Sequence, residues 1–316
     1  MPHPDRILIA MLAEICAEAG IRLTPLSDDW TLRLEKAGRV GHVYGYNFEL
    51  NSAAAQLIAS DKYATFCLLR HCGVPAIPHR MFLHPALAAD YLPDTGNWAA
   101  ILAFFAEHAQ DVVCKLNTGS GGYHVTRARS VPELEACVYR LFRDARAICL
   151  APFVQILNEY RIFIHHHQAP LIYRKERPFV TGDGQRRLFE LVYDKYARLP
   201  AESADVIPLA GATIELNWKH NLAQGAKARI VQDLELAAFL QDLALQAARA
   251  LGIRLAAVDI VETPDGPAVL EVNSGIMMES FARQGEREYA LARDFYRQVV
   301  LEMIEESLGT AGTPSV

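Results

Sequence analysis

The stretch LAAVDIVETPDGPAVLEVN, residues 255–273, consists of two apolar runs joined by Pro264-Asp265-Gly266. Short runs rich in Val and Ile on either side of an Asp-Gly turn read as a β-hairpin. Asp259 lies inside the first run; Glu271 and Asn273 lie two apart in the second and so share a face of their strand. A simple hairpin therefore brings three oxygen-bearing side chains to one place. Hard oxygen ligands of this kind suit Mg²⁺ that keeps part of its water and bridges nucleotide phosphates. Each acid read singly is an ordinary solvent-facing strand residue; the combination is what points to a metal site.

Upstream of the hairpin, residues 176–219 form a polar stretch too long for a plain connection, and they are a candidate lid or substrate loop. Residues 159–175, EYRIFIHHHQAPLIYRK, read as a second hairpin. Its triplet His165-His166-His167 has the chemistry to chelate a metal, but alternate strand side chains point to opposite faces, so the triplet is read as an exposed tip and left out of the site. Further upstream, Gly119-Ser120-Gly121-Gly122 separates the strands DVVCKLN (111–117) and YHVTRA (123–128). Glycine permits the positive φ and close approach with which backbone N–H groups can cover phosphate oxygens, although such a turn is also a common structural device. Lys115 sharpens that reading. It sits inside an apolar strand, where an ammonium costs stability unless it meets an anion. Lys62, in Asp-Lys at a helix start, is a second candidate cation, with a solvated surface lysine as its plain alternative.

The composition frames these motifs. The chain has 316 residues, 51% of them apolar and 22% charged, which excludes disordered and collagen-like classes and favours one large mixed domain or a few lobes. No run of 18 uncharged apolar residues occurs, and Glu14 and Glu18 break the apolar start, so neither a membrane span nor a signal peptide is expected and the protein reads as cytoplasmic. A net charge of −6 with no basic block gives no attraction toward nucleic acid or a membrane. The six cysteines form no Cys-x-x-Cys pair and are read as reduced, buried thiols.

The hydrophobic pattern gives a first helix over residues 5–20 behind Asp5 as cap, strands near 22–26, 30–34 and 39–48, a helix capped by Asn51 and another opened by Asp61. A boundary falls near residue 80. Residues 81–150 read as a small lobe carrying the glycine-rich loop, residues 151–308 as a larger lobe with the metal carboxylates and a last helix from about 286 to 307, and residues 309–316 as a frayed tail.

The ordered set DK (61–62), VVCKLNTGSGGYHV (112–125), NEYRIFI (158–164), NWKHNLAQGA (217–226) and AAVDIVETPDGPAVLEVNSG (256–275) resembles the ATP-grasp enzymes. Within that superfamily it is similar to the carboxylate–amine ligase branch of ribosomal-protein glutamate ligases, carrier-protein ligases of lysine biosynthesis and the amino-acid-adding half of cyanophycin synthetase. RPFVTGDGQRRLFELV (177–192) is similar to the Gly-Asp-Gly loop of cyanophycin synthetase and the fused bacterial glutathione synthetases. The likeness runs from residue 61 to about 305.

The resemblance implies an α/β ATP-grasp fold of three lobes with ATP between the last two. It implies that Lys62, Lys115 and the turn Gly119, Ser120, Gly121 and Gly122 serve the nucleotide phosphates, and that the segment Leu150 to Phe153, Pro152 included, offers backbone groups to adenine. It implies Glu159 near the ribose, Asn221 beside the phosphates, Arg161 and Arg174 on the acylphosphate or substrate carboxylate, and Asp259, Glu271 and Asn273 on Mg²⁺. The working cation among Arg174, Lys175 and Arg177 stays open, because Pro178 stands one position nearer the Gly-Asp-Gly loop than in that branch. After Asn273 the chain runs SGIMMESF (274–281), without the Pro-Gly of several relatives, so substrate identity is not carried over. The activity implied is an ATP-dependent ligase that joins the carboxylate of an amino acid or peptide to an amine through an acylphosphate. A small-molecule kinase and a non-catalytic nucleotide-binding regulator are its rivals. Homo-oligomerisation is compatible with the sequence.

Overall fold

A computed structural model describes residues 6–87, 98–119, 121–192 and 205–307. Helix α1 (Ile7–Ala19) turns Leu8, Met11, Leu12 and Ile15 inward at helical spacing and stops at Gly20, whose left-handed φ of +65° ends the helix. The expected cap Asp5 lies outside the described residues. The carboxylate that accepts from Ile7 N (2.8 Å) and Leu8 N (3.3 Å) belongs to Glu279, at the other end of the chain. Strands β1 (Arg22–Leu26), β2 (Thr31–Lys36), β3 (Arg39–Tyr44) and β4 (Asn47–Phe48) form an antiparallel meander over this helix.

Helices α2 (Ala53–Ser60) and α3 (Lys62–His71) are capped by Ser52 and Asp61, whose side chains accept from Ala55 N and Ala64 N; the expected cap Asn51 instead accepts from Arg254 N and Leu255 N and donates to Leu255 O. They fall within residues 1–80, yet Ala55, Ala59 and Leu69 share a core with the C-terminal sheet. The central lobe holds β5 (Arg80–Leu83), α4 (Trp98–Glu107), β6 (Val112–Leu116), β7 (Thr126–Ala128), α5 (Val131–Asp144) and β8 (Ala147–Pro152). Its antiparallel sheet has the order β5-β8-β6-β7. Only the last half of the expected strand YHVTRA pairs. Gly121, Gly122 and His124 all have positive φ, which extends the turn and delays pairing until Thr126.

The C-terminal lobe contains β9 (Asn158–His165), β10 (Gln168–Glu176), β11 (Phe179–Thr181), α6 (Leu188–Val192), β12 (Thr213–Glu215), a short 3₁₀ turn (Leu222–Gln224), β13 (Lys227–Ile230), α7 (Leu234–Leu251), β14 (Leu255–Thr263), β15 (Gly266–Asn273), α8 (Glu279–Ala282) and α9 (Glu286–Glu306). Its five-stranded antiparallel sheet has the order β13-β10-β9-β14-β15. One face packs Ile162, Ile164, Val258 and Ile260 against α7. The other packs Phe163, Tyr173, Leu255 and Ala257 against α1 and α9. Covered on both faces, β14 is an almost continuous apolar run, and Asp259 in its middle is held in the interior. Within 176–219, β11 and β12 pair as a separate small sheet with α6 beside it. Four of the cysteines are buried and free as expected, whereas Cys72 is exposed just past the end of α3. Among the described residues no helix is long and apolar enough to cross a membrane.

Candidate functional site

The β14–β15 register pairs Asp259 with Glu271 and Ala257 with Asn273, and β9 pairs Arg161 with Asp259 from the other side. Directly opposed residues in antiparallel strands project to the same face. That rule gathers an acid, a base and a second acid across three strands. Arg161 grips Asp259 with two near-parallel bonds, Nε to Oδ1 at 2.7 Å and Nη2 to Oδ2 at 2.6 Å. Lys175 on β10, in register with Glu159, places Nζ 2.9 Å from Asp259 Oδ1 and 2.6 Å from Glu159 Oε1. Asp259 is 1% and Lys175 5% exposed. Burial pushes the Asp259 carboxyl upward, but the Arg161 guanidinium and Lys175 ammonium outweigh it and hold the acid below the usual carboxylate range. Glu271 is less committed: Asn273 Nδ2 donates to its Oε1 at 3.3 Å.

Across from this cluster stand the two upstream lysines. The first turn of α3 is tied to the end of β6, with Lys62 N donating to Asn117 O (3.1 Å) and Tyr63 N to Asn117 Oδ1 (3.2 Å). Lys62 and Lys115 are thereby neighbours although 53 residues separate them in sequence. Lys115 is 7% exposed and makes no salt bridge among the described residues. Burial lowers its pKa first of all, the charges of Glu271 and Glu159 oppose that, and Lys62 adds like-charge repulsion. Two adjacent ammonium groups that make no salt bridge among the described residues have the charge to attract an anion.

The glycine-rich turn is tied to Lys62 and Asn221. Gly121 and Gly122 have φ of +66° and +70°, a conformation that glycine adopts without penalty. Lys62 Nζ donates to Gly119 O, and Asn221 Nδ2 donates to Gly121 O at 2.9 Å. A Cβ on Gly122 would stand 2.8 Å from Asn221 Nδ2, so the turn lies directly on that amide. Lys219 Nζ donates to Val125 O at 2.7 Å and stands over the Trp218 ring, which meets Phe153 edge-on at 5.8 Å.

Leu150 and Pro152 end β8, and Phe153 N is held by Asp111 O at 3.0 Å. Arg177 spans from this connection to the small sheet, donating to Ile156 O (2.6 Å), Glu215 (2.8 Å) and His220 Nε2 (2.9 Å). The Nδ1 of His220 donates to Lys175 O at 2.7 Å, which fixes the neutral tautomer; burial lowers the pKa in the same sense.

The structure thus brings together Lys62, Lys115, Gly119, Gly121, Gly122, Asn221, Arg161, Asp259, Glu271 and Asn273. Ser120 lies outside the described residues. Arg174 is not brought in: it projects from the opposite face of β10 and pairs with Glu176 at 2.8 Å. Strand alternation places Lys175 at Asp259, so of the three cations left open it is Lys175 that the sheet delivers there. Glu159, expected near a ribose, is turned inward onto Lys175. Sequence reasoning missed His79. It is buried, donates from Nδ1 to Ile77 O at 2.8 Å, and leaves Nε2 without a hydrogen-bond partner. Burial, then the charge of Lys115, hold its pKa well below the usual histidine value. Nothing in VPAIPH (74–79) signals this, because the lysine that matters is 36 residues away.

A model of the RimK-like ATP-grasp domain matches residues 208–292, which include Asn221, Asp259, Glu271 and Asn273. A tetrahydromethanopterin:α-L-glutamate ligase of Methanocaldococcus jannaschii is 47% identical over 58 residues, 18% of this chain and 19% of that protein. A probable α-L-glutamate ligase of Sodalis glossinidius is 26% identical over 244 residues, 77% of this chain and 66% of that protein. The chain thus covers less than two thirds of these relatives' own lengths. Among solved structures, a bifunctional glutathione synthetase from Pasteurella multocida superposes on 93% of this chain and 44% of its own, with a TM-score of 0.58 at 19% identity. A D-alanine–D-alanine ligase from Bacillus anthracis superposes on 81% and 69%, with a TM-score of 0.54 at 16% identity. Residues 208–292 thus match a RimK-like ATP-grasp domain, and the mixed helix-and-sheet fold is shared with these two ligases.

Proposed function

We propose that the chain is an ATP-dependent carboxylate–amine ligase that forms an amide bond through an acylphosphate. The observation that supports this reading is the convergence of two lysines without a salt bridge among the described residues and a glycine-rich turn on one side with Glu271, Asn273 and the Arg161–Asp259–Lys175 cluster on the other. Phosphoryl transfer asks for positioning and charge neutralisation more than covalent chemistry, and this set supplies both. Lys62 and Lys115 hold the phosphates, the turn over Asn221 shields them, and the segment from Leu150 to Phe153 meets the base. The carboxylate oxygen of one substrate takes the γ-phosphoryl group and ADP leaves. The amine of the second then attacks the acyl carbon, loses a proton and expels phosphate. Water exclusion matters because the acylphosphate hydrolyses readily, and the small sheet of β11 and β12 is the element to which this reading gives the part of a cover.

Mg²⁺ fits the donor set. Glu271 offers a carboxylate and Asn273 an amide oxygen, and Asp259 Oδ2 accepts one bond among the described residues. These three would hold the ion, which when bound neutralises charge on the phosphate oxygens. Arg161 and Lys175 keep Asp259 ionised and fixed in place. The relatives named as glutamate ligases make an amino acid the first amine to test.

The experiment is a screen of amino acids and short peptides for ADP release, with mass determination of the product. A ligase needs both carboxylate and amine for phosphate release, and hydroxylamine traps the activated acyl group as a hydroxamate. A stable phosphorylated product without hydroxamate identifies a kinase, and ATP binding without turnover under every mixture identifies a regulator. Either result overturns the proposal.

A further inference from the structure

The turn between β9 and β10 and the last helix bring three metal-binding side chains together outside the site described above. His165 closes β9, His166 follows it, and Glu302 lies in the last turns of α9. One ligand atom from each residue lies within 4.8 Å of the other two. Glu302 Oε2 is 2.5 Å from His165 Nε2, and Oε1 contacts His166 Nε2. Consecutive strand residues should face apart. Here His166 has a φ of +54°, and this left-handed reversal swings its ring onto the same carboxylate. The expectation of an exposed tip therefore holds for His167 and fails for its two neighbours.

His165 Nε2 is buried and makes no aligned hydrogen bond, although a carboxylate oxygen is at hand. An ordinary histidine–glutamate pair directs one ring N–H at one oxygen. Here two ring nitrogens converge on the two oxygens of one carboxylate, one of them obliquely, so three ligand atoms are gathered close enough to share an ion. We infer that His165, His166 and Glu302 form a binding site for a divalent transition-metal ion of the Zn²⁺ class. Two imidazoles and one carboxylate are a frequent zinc set that leaves a fourth position for water, and imidazole ligands discriminate against Mg²⁺. Metal–ligand bonds of about 2.0–2.2 Å place tetrahedral ligand atoms roughly 3.3–3.6 Å apart, which small side-chain adjustments reach. The nearby cation Arg254 is held off by Glu306 at 2.6 and 2.9 Å and by Leu50 O at 2.8 and 3.0 Å.

The ion would fasten the β9–β10 hairpin to α9 across 136 residues of chain, so its binding free energy adds to the stability of the lobe. Four residues of strand, roughly 13 Å, separate His165 from Arg161, so the site does not depend on the proposed ligase activity.

The test uses the full chain, stripped with a chelator, returned to excess Mg²⁺ and titrated with Zn²⁺ and separately with Co²⁺. One ion should bind per chain at micromolar or lower concentration, raise the melting temperature, and give a Co²⁺ spectrum of nitrogen and oxygen ligation without a thiolate charge-transfer band. Glu302→Gln and His166→Asn should each weaken binding at least about tenfold while Mg²⁺-dependent ATP binding persists. The inference is overturned if Zn²⁺ does not bind in excess Mg²⁺, if the folded variants bind it as tightly as the parent, or if a thiolate band assigns the ion to a cysteine. Should a variant fail to fold, the parent's Co²⁺ spectrum decides between imidazole and thiol ligation.

Discussion

The C-terminal sheet and the central lobe both present charge to the same space, but in opposite states of completion. On the sheet, Asp259 is already neutralised by Arg161 and Lys175, with Glu159 closing the set. In the central lobe, Lys115 is as deeply buried and meets no direct counter-charge among the described residues, while Lys62 rests on a backbone carbonyl of the glycine-rich turn. The first arrangement stabilises the fold whether or not a ligand is present. The second leaves a buried charge whose cost an anion at that place would relieve.

Removing a member of the paired cluster should have the largest effect. Asp259→Asn leaves Arg161 and Lys175 buried with one negative charge too few, and a loss of about 3–5 kcal/mol in stability is expected. Denaturant unfolding measures it, and ATP turnover should fall at least about 100-fold in the same variant. The pH dependence follows from the depressed acid: its contribution is present above the ordinary aspartate pKa of about 3.9 and is lost as pH falls through the lower folded-state value. The acid limb of the parent's stability curve should therefore flatten in the variant; an unchanged limb would show that Asp259 is not the group being titrated.

Lys115→Met separates the two regions most sharply. An apolar chain of similar length removes a buried ammonium that makes no salt bridge among the described residues, so stability should stay within about 1 kcal/mol of the parent or rise. ATP-dependent turnover should nonetheless drop about 100-fold. A large loss of stability in unfolding measurements would place Lys115 with the structural charges and erase the contrast.

Gly122→Ala probes the cover and should have the smallest effect. A left-handed φ costs an alanine roughly 1–2 kcal/mol, and the new methyl group meets Asn221 Nδ2. Charged to loop closure, that penalty lowers turnover about tenfold, with little change in global unfolding. Equal loss in both measurements would make the turn part of the core.

Much of this was legible along the chain. The alternation in 255–273 gives the hairpin, but the register set by its turn pairs Ile260 with Val269 and would put Leu270 opposite Asp259; a bulge between Asp259 and Ile260, which the sequence does not announce, brings Glu271 there instead. Lys115 announces itself by charge in an apolar strand. What stayed hidden depends on pairings between distant segments. The choice of Lys175 over Arg174 rests on which face of β10 looks toward Arg161, and that is settled only when β9, β10 and β14 share a sheet. The carboxylate that caps α1 comes from Glu279, 272 residues away, where no local signal can reach. His165 and His166 meet Glu302 through a single left-handed residue, against the alternation that an ideal strand would follow.

By itself the sequence determined the local elements, the hairpin that carries the acids, the glycine-rich turn and the family resemblance, because turn chemistry and hydrophobic period act over a few residues. Only the tertiary structure decided which charges are paired and which stand unpaired. That depends on sheet order and strand face, which bring together residues separated by tens to hundreds of positions and determine what each buried charge finds opposite it.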